Sequence, residues 1–341
     1  MNTLSMTKKW LIIIGLLLFA GLSISWLKNT QYVITTQIDI DAPVKVVFNA
    51  LNNLSTQKEW NAKSVLDTSY ELLCIGNPVG NDASCDFKSK MYGDGVIRIL
   101  SSKPSDSITI IEEKNNGKHI TISYKLQSLD EKNTKLILHA GSKSGFITNL
   151  WNFIHAWKLK KHMNHQLDNL KVFVRKRFHD KVYNGYKIEE IYANQKFYIG
   201  HRAEVSFENA SQYYAQNIAA LYQTALQNQL VAAGMPCSLF FGWDESKQKT
   251  DMAAALPTLA ENHIQGTQVF NLPAGKALKT VYMGEGSKSG IAHMAIDDYM
   301  LDHGLKQITP VVEEYMTDPT QEPNPEKWMT NIYYYVTDDK Q

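Results

Sequence analysis

The chain has 341 residues, 44% of them hydrophobic and 20% charged, a composition that supports two ordinary cores and excludes wholesale disorder. Basic and acidic side chains balance at 35 against 34, and no long basic run follows residue 10. With no electrostatic footprint for gripping a phosphate backbone, nucleic acid is not an expected partner.

Lys8 and Lys9 precede an uncharged run, WLIIIGLLLFAGLSISWL, from Trp10 to Leu27. At about 1.5 Å per helical residue it reaches roughly 27 Å, enough for the hydrocarbon core of a bilayer. Trp10 and Trp26 stand near its ends, where indoles favour the interface, and a single Lys28 follows. The charge bias keeps the N-terminus cytoplasmic. Residues 1–29 are therefore expected to be a cytoplasmic stub and a single-pass transmembrane helix, with everything from Asn29 on the outer, extracytoplasmic side. A cleaved signal peptide is the rival; its best cleavage site, Ser23-Ile24-Ser25, is followed by bulky Trp26.

Residues 30–178 carry an α+β pattern. An alternating strand, YVITTQIDI, leads through Pro43 into a helical stretch with Val44, Val47, Phe48 and Leu51 on one stripe. Strand-like runs follow, SYELLC, DFKSKMY, GVIRILSS, SITIIEE, HITISYKLQS and TKLILHAGS, separated by turn formers such as Asn115-Asn116-Gly117. A long helix over about 147–177 closes the segment, with Leu150, Phe153, Ile154, Trp157, Met163, Leu167, Leu170 and Phe173 as its apolar positions. A sheet wrapped round one amphipathic helix leaves a gap, the natural ligand cavity.

Cys74 and Cys85 flank a turn-rich stretch, so they are either a disulfide across a hairpin or two free thiols. His155, His162 and His165 fall on the long helix, but Lys158, Lys160 and Lys161 beside them repel a cation. They read as a solvated basic face, and no metal is expected.

The opening IDIDAPVKVVFNALNNLSTQKEW with Trp60, the Gly93-Asp94-Gly95 loop before VIRIL and the long last helix resemble the START-like helix-grip superfamily. That superfamily includes polyketide cyclases and lipid-transfer proteins. The resemblance implies a hydrophobic cavity and no particular reaction.

Residues 182–341 read as two passes of one theme. The first has strands YKIEEIYA and KFYIGHRAEV, a helix from Asn209 to Ala233 with Asn209 as N-cap and Gly234 as its stop, and the strand SLFFGW. Tyr214, Ile218, Leu221 and Ala225 share a face of that helix. The second has GTQVFNLP and KALKTVYMG, a helix from about Ser289 to His303 stopped by Gly304, and the strands PVVEEYM and NIYYYV. Ile291, Ala295 and Tyr299 share its face. The repeated order points to an internal duplication.

The C-terminal stretch carries an E-x-Y…D-P…T-x-I pattern in Glu313, Tyr315, Asp318, Pro319, Thr330 and Ile332, preceded by Pro273, Ala274, Gly275 and Gly284. It resembles the gyrase-inhibitor-like effector-binding domain, the ligand-sensing half of multidrug-responsive transcription activators. One departure is Glu285, where the resemblance implies proline, so the pocket mouth differs.

Glu313 is the residue of most chemical interest. Strand alternation puts Tyr315 on its face and Glu314 on the other, so at most one of the two acids faces inward. If it is Glu313, a buried carboxylate among rings suits cationic or polarised aromatic ligands. Phe241 and Trp243, on the equivalent strand of the first pass, are expected as opposing walls, and Tyr282 joins them as a ligand-binding residue.

The function this supports is a tethered sensor, scavenger or carrier for small hydrophobic or cationic molecules, non-catalytic. The alternatives are a hydrolase with Glu313 as general base and Glu285 as a second carboxylate, or a structural, partner-binding envelope protein. No nucleotide-binding loop, metal quartet or nucleophile elbow occurs, so no cofactor is expected.

Overall fold

The computed structural model describes residues 30–144 and 152–339. The transmembrane helix expected over 10–27 lies outside the described residues; among those described, no helix is long and apolar enough to cross a membrane. The chain divides into two compact units, Met1–Arg175 and Lys176–Gln341.

In the first unit β1 (Thr30–Ile40) leads to α1 (Val44–Asn52) and the short helices α2 (Gln57–Trp60) and α3 (Ala62–Leu66). The strands β2 (Glu71–Cys74), β3 (Ser84–Lys88), β4 (Gly95–Lys103), β5 (Ser107–Lys114), β6 (His119–Ser128) and β7 (Thr134–Ser144) come next, then the long helix α4 (Asn152–Phe178). All seven strands form one antiparallel sheet in the order β1-β7-β6-β5-β4-β3-β2. Alternation turns Ile97, Ile99, Ile108, Ile110, Ile122, Tyr124, Leu126, Leu136 and Leu138 into the core.

Helix α1 buries Val46, Val47, Phe48, Ala50 and Leu51 against β5 and β6. Helix α4 turns Met163, Leu167, Leu170, Phe173 and Val174 inward. It is fastened by Gln166 Nε2 donating to the Tyr124 hydroxyl at 2.6 Å and by Lys171 Nζ donating to the Asp39 carbonyl at 2.8 Å.

Two expectations change here, and one open alternative is decided. Trp157 is 58% exposed; six residues before Met163, it falls about 120° off the buried stripe. His162 is not on a solvated face, because its ring lies 6.1 Å from that of Tyr92 and its Nε2 is buried. At i, i+4 from buried Gln166 it belongs to the inward row. His165 is exposed, and the side chain of His155 lies outside the described residues. Cys74 and Cys85 are cross-strand partners in β2–β3 and are joined as a disulfide.

Asp67 ties the loop after α3 to the loop after β3. It accepts from the hydroxyls of Ser69 and Ser89 at 2.6 and 2.5 Å and from the amides of Ser69 and Met91 at 2.9 and 3.2 Å. These hydrogen bonds, that of the Ser69 hydroxyl foremost, hold its carboxyl well below the usual carboxylate range. A depressed folded pKa lends stability that is fully present above the unfolded value of about 3.9 and is lost as pH falls. The urea midpoint of the wild type should therefore drop below about pH 4 more steeply than that of Asp67→Asn. Superimposable pH profiles would exclude this anchoring.

In the second unit β8 (Val182–Tyr183) and β9 (Tyr186–Lys187) pair as a small hairpin. There follow β10 (Glu189–Ala193), β11 (Lys196–Ser206), α5 (Ala210–Gln227), β12 (Cys237–Asp244), β13 (Lys249–Thr258) and β14 (Gln268–Leu272). The chain ends with β15 (Gly275–Met283), α6 (Gly290–His303), β16 (Leu305–Tyr315) and β17 (Met329–Asp338). Eight strands form one antiparallel sheet in the order β10-β15-β17-β16-β12-β13-β11-β14. Matching β11-α5-β12-β13 with β15-α6-β16-β17 makes that order read alike from either end, and the two passes meet at the β12–β16 pair.

Strand β13 is absent from the sequence reading. Its Met252-Ala253-Ala254-Ala255-Leu256 run has low strand propensity, yet every residue is buried. Small side chains are what a central strand covered on both faces can hold: Ala254 packs under Leu221 and Ala225 of α5, while Ala253 and Ala255 join the core on the other face.

Helix α5 also ends earlier than expected. It stops at Gln227, the turn is made by Gln229 at φ 54°, and Gly234 lies beyond it. Asn209 makes no side-chain cap bond. Gly304 does stop α6, in the left-handed conformation at φ 63°, its amide donating to the Met300 carbonyl. The buried row of α6 is Ala292, Ala295, Ile296 and Tyr299, and Ile291 is exposed.

Candidate functional site

Sheet register builds the site. Glu313 of β16 pairs with Ser238 of β12 and Ile332 of β17, and Ser238 pairs in turn with Ala254 of β13. Ala254 lies under α5 and Ile332 under α6, so Glu313 sits on the helix-bearing face, between the two helices. Glu314 takes the opposite face. There it accepts from the Tyr333 hydroxyl at 3.1 Å and from Asn331 Nδ2 at 3.3 Å, with Lys196 Nζ at 3.5 Å.

Glu313 is 5% exposed and both its oxygens are engaged. Oε1 accepts from His293 Nε2 at 2.7 Å and from the Ser289 hydroxyl at 3.3 Å, both at the α6 end of the cleft. Oε2 accepts from the Tyr315 hydroxyl at 2.9 Å, which lies 3.0 Å from Oγ of Ser238. With Nε2–H directed at the carboxylate, Nδ1 of a neutral His293 accepts from the Tyr334 hydroxyl at 3.0 Å. Burial, and next the charge of Glu313, push the Tyr315 phenol far above its ordinary pKa. Burial does the same to Tyr334 and Tyr214. These phenols stay protonated, as donors.

Rings enclose the group. Tyr214 of α5 meets Tyr315 edge-on with centroids 4.7 Å apart. Phe240 stacks on Trp243 at 5.1 Å, and Trp243 meets His293 edge-on at 6.0 Å. Trp243 is 42% exposed and stands at the rim.

Of the residues singled out in the sequence, the structure brings together Glu313, Tyr315 and Trp243. It does not bring Phe241. Phe241 follows Cys237 and Leu239 onto the opposite face, against Phe270 at 5.7 Å and the Arg202 guanidinium at 3.7 Å, and the register shift between Phe240 and Gly242 returns Trp243 to the face of Phe240. Phe240 takes its place.

Tyr282 shares the face of Glu313 through Thr330 and Tyr315, but its hydroxyl donates to the Glu285 carbonyl at 3.1 Å and not to the cluster. The Glu285 carboxylate pairs with Lys288 at 3.2 Å. An open groove of about 290 Å³ along Tyr186–Lys187 and Lys279–Val281 contains none of these residues.

Ser238, Ser289, His293 and Tyr334 went unnoticed in the sequence. One local signal existed: Ser289 and His293 are polar at i, i+4 beside the apolar row of α6, so they edge the buried face. Among the described residues, no group of three or more histidines, cysteines and carboxylates could hold a metal ion.

No protein-family profile matches the sequence, and no curated protein matches it. Solved structures do. The EcmrR C-terminal domain is 15% identical over 45% of this chain and 98% of its own, with a TM-score of 0.41. The Zhui aromatase/cyclase from Streptomyces sp. R1128 is 11% identical over 45% of this chain and 98% of its own, at 0.36. A START superfamily protein from Mycobacterium smegmatis is 8% identical over 42% and 97%, at 0.33. At scores below 0.5 no ligand or activity carries over from any of them.

Proposed function

We propose that the chain is a membrane-tethered binding protein for small hydrophobic or cationic molecules, with the Glu313 cluster as its cation-selecting site. The observation that carries this is a carboxylate 5% exposed between two helices and ringed by Tyr214, Phe240, Trp243 and Tyr315. A buried anion needs a partner, and aromatic faces favour a cation over any neutral group of the same outline. His293 is the resident partner at 2.7 Å, so an incoming cation takes over its contact. Tethering is supported by Lys8, Lys9 and the uncharged run Trp10–Leu27, and an outer, oxidising location by the Cys74–Cys85 pair.

The test is a fluorescence titration with N-methylacridinium. Glu313→Gln keeps the shape of the site and removes its charge, and is expected to weaken binding about 10- to 100-fold, the loss of one charge–charge contact to a cation that has no N–H to donate. His293→Ala should strengthen binding, because it removes the competing donor. An uncharged ring system of the same outline should not distinguish the wild type from Glu313→Gln. Equal N-methylacridinium affinity in those two proteins removes Glu313 from this reading. Turnover of a bound compound, lost in Glu313→Gln, favours the hydrolase instead.

A further inference from the structure

The interior of the first unit carries a second set of polar groups, unconnected with Glu313. Strand β5 alternates Ile108, Ile110 and Glu112 on its inner face, so a carboxylate 5% exposed takes a slot its strand otherwise gives to isoleucine. Lys63 of α3 pairs with it. The Lys63 ammonium also lies over the rings of Phe87 and Tyr92, 5.6 and 5.8 Å from their centroids. That same Tyr92 ring is 6.1 Å from the imidazole of His162 on α4. The His162 Nε2 is buried and has no hydrogen-bond partner among the described residues. Tyr70 stacks on Phe87 at 5.9 Å, and buried Tyr124 and Gln166 lie one turn of α4 away.

Helices α3 and α4, strands β3 and β5 and the loop after β3 thus converge on one ion pair and one unsatisfied imidazole nitrogen among rings. A buried polar atom without a partner is unfavourable, and a ligand that supplies the partner converts the deficit into affinity. Burial, and next the charge of Lys63, hold the His162 pKa below the ordinary histidine value, so the ring is neutral at pH 7. The Lys63–Glu112 pair is neutral in sum, and a charged ligand of either sign meets one member as a like charge. A hydroxyl both donates and accepts, so it satisfies Nε2 in either tautomer.

The surface next to Lys63 and Tyr92 in the chain is apolar. Val65, Leu66 and Met91 are 54%, 57% and 64% exposed, and Asp67 pins the loops that carry Leu66 and Met91 together. We propose that this unit binds an uncharged, planar aromatic alcohol, its ring against Tyr92 and its hydroxyl bonded to Nε2 of His162.

The experiment is titration of the full chain with 2-naphthol and, in parallel, naphthalene, followed by ligand fluorescence. In the wild type 2-naphthol should bind about tenfold tighter, the factor of one hydrogen bond. His162→Phe keeps a ring beside Tyr92 and should erase the difference; His162→Leu serves if the phenylalanine variant does not fold, as judged by its urea midpoint. Glu313→Gln should leave the difference intact, so this site and the one in the second unit stand or fall separately. Equal affinities for the two compounds in the wild type, or an undiminished preference for 2-naphthol in the His162 variant, overturn the proposal.

Discussion

Lys63→Met should destabilise the first unit by about 3–5 kcal/mol, and Lys63→Met with Glu112→Met should recover most of that loss. The side chains of Lys63 and Glu112 are 13% and 6% exposed. Removing only the lysine leaves a carboxylate among isoleucines without its counter-charge, the circumstance in which breaking a buried pair is most damaging. Replacing both removes the desolvated charges together, and methionine fills the space with an adaptable apolar chain. Urea denaturation of the wild type, both single variants and the double variant forms a cycle whose coupling energy isolates the pair. A Lys63→Met midpoint equal to that of the wild type would show that water reaches Glu112.

Arg177→Leu should cost the second unit about 3–5 kcal/mol, for a related reason. Arg177 sends Nε to Asp302 at 3.2 Å and Nη1 to Asp298 at 3.6 Å, and its guanidinium lies 4.6 Å from the Tyr183 ring centroid. The Tyr183 hydroxyl donates to the same Asp302 oxygen at 3.1 Å. Burial works against the arginine charge, but Asp302 and then Asp298 outweigh it and raise the pKa further. Leucine would leave two neighbouring carboxylates facing each other in a dry setting. Arg177→Lys keeps the charge without the planar fork and should fall between. Arg175→Leu, on the exposed side of the same helix, is the control and should shift the thermal midpoint little. A midpoint for Arg177→Leu equal to that of the control would refute the network.

Local pattern made some of this legible. Glycine at 304 marks the end of α6 because its backbone adopts the left-handed conformation. Period-2 alternation separates Glu313 from Glu314, since neighbours on a strand face opposite ways. The same rule failed between Phe241 and Trp243, where one bulged residue sets the two on opposite faces and nothing in SLFFGW announces it. It also missed β13, whose alanines look helical until a helix and a second core are seen to cover both faces.

The sequence by itself determined the α+β class, the repeated theme of the second half and the single strand that carries both acids, because each depends on period, turn chemistry and neighbours close in the chain. Only the tertiary structure decided which acid is enclosed and by what. His293 and Ser238 reach Glu313 from 20 and 75 residues away, and Lys63 reaches Glu112 across 49. Such meetings follow from strand register and from where a helix lies on its sheet. Hydrophobic spacing says which face of an element is buried, and it leaves open which distant side chain will lie against it.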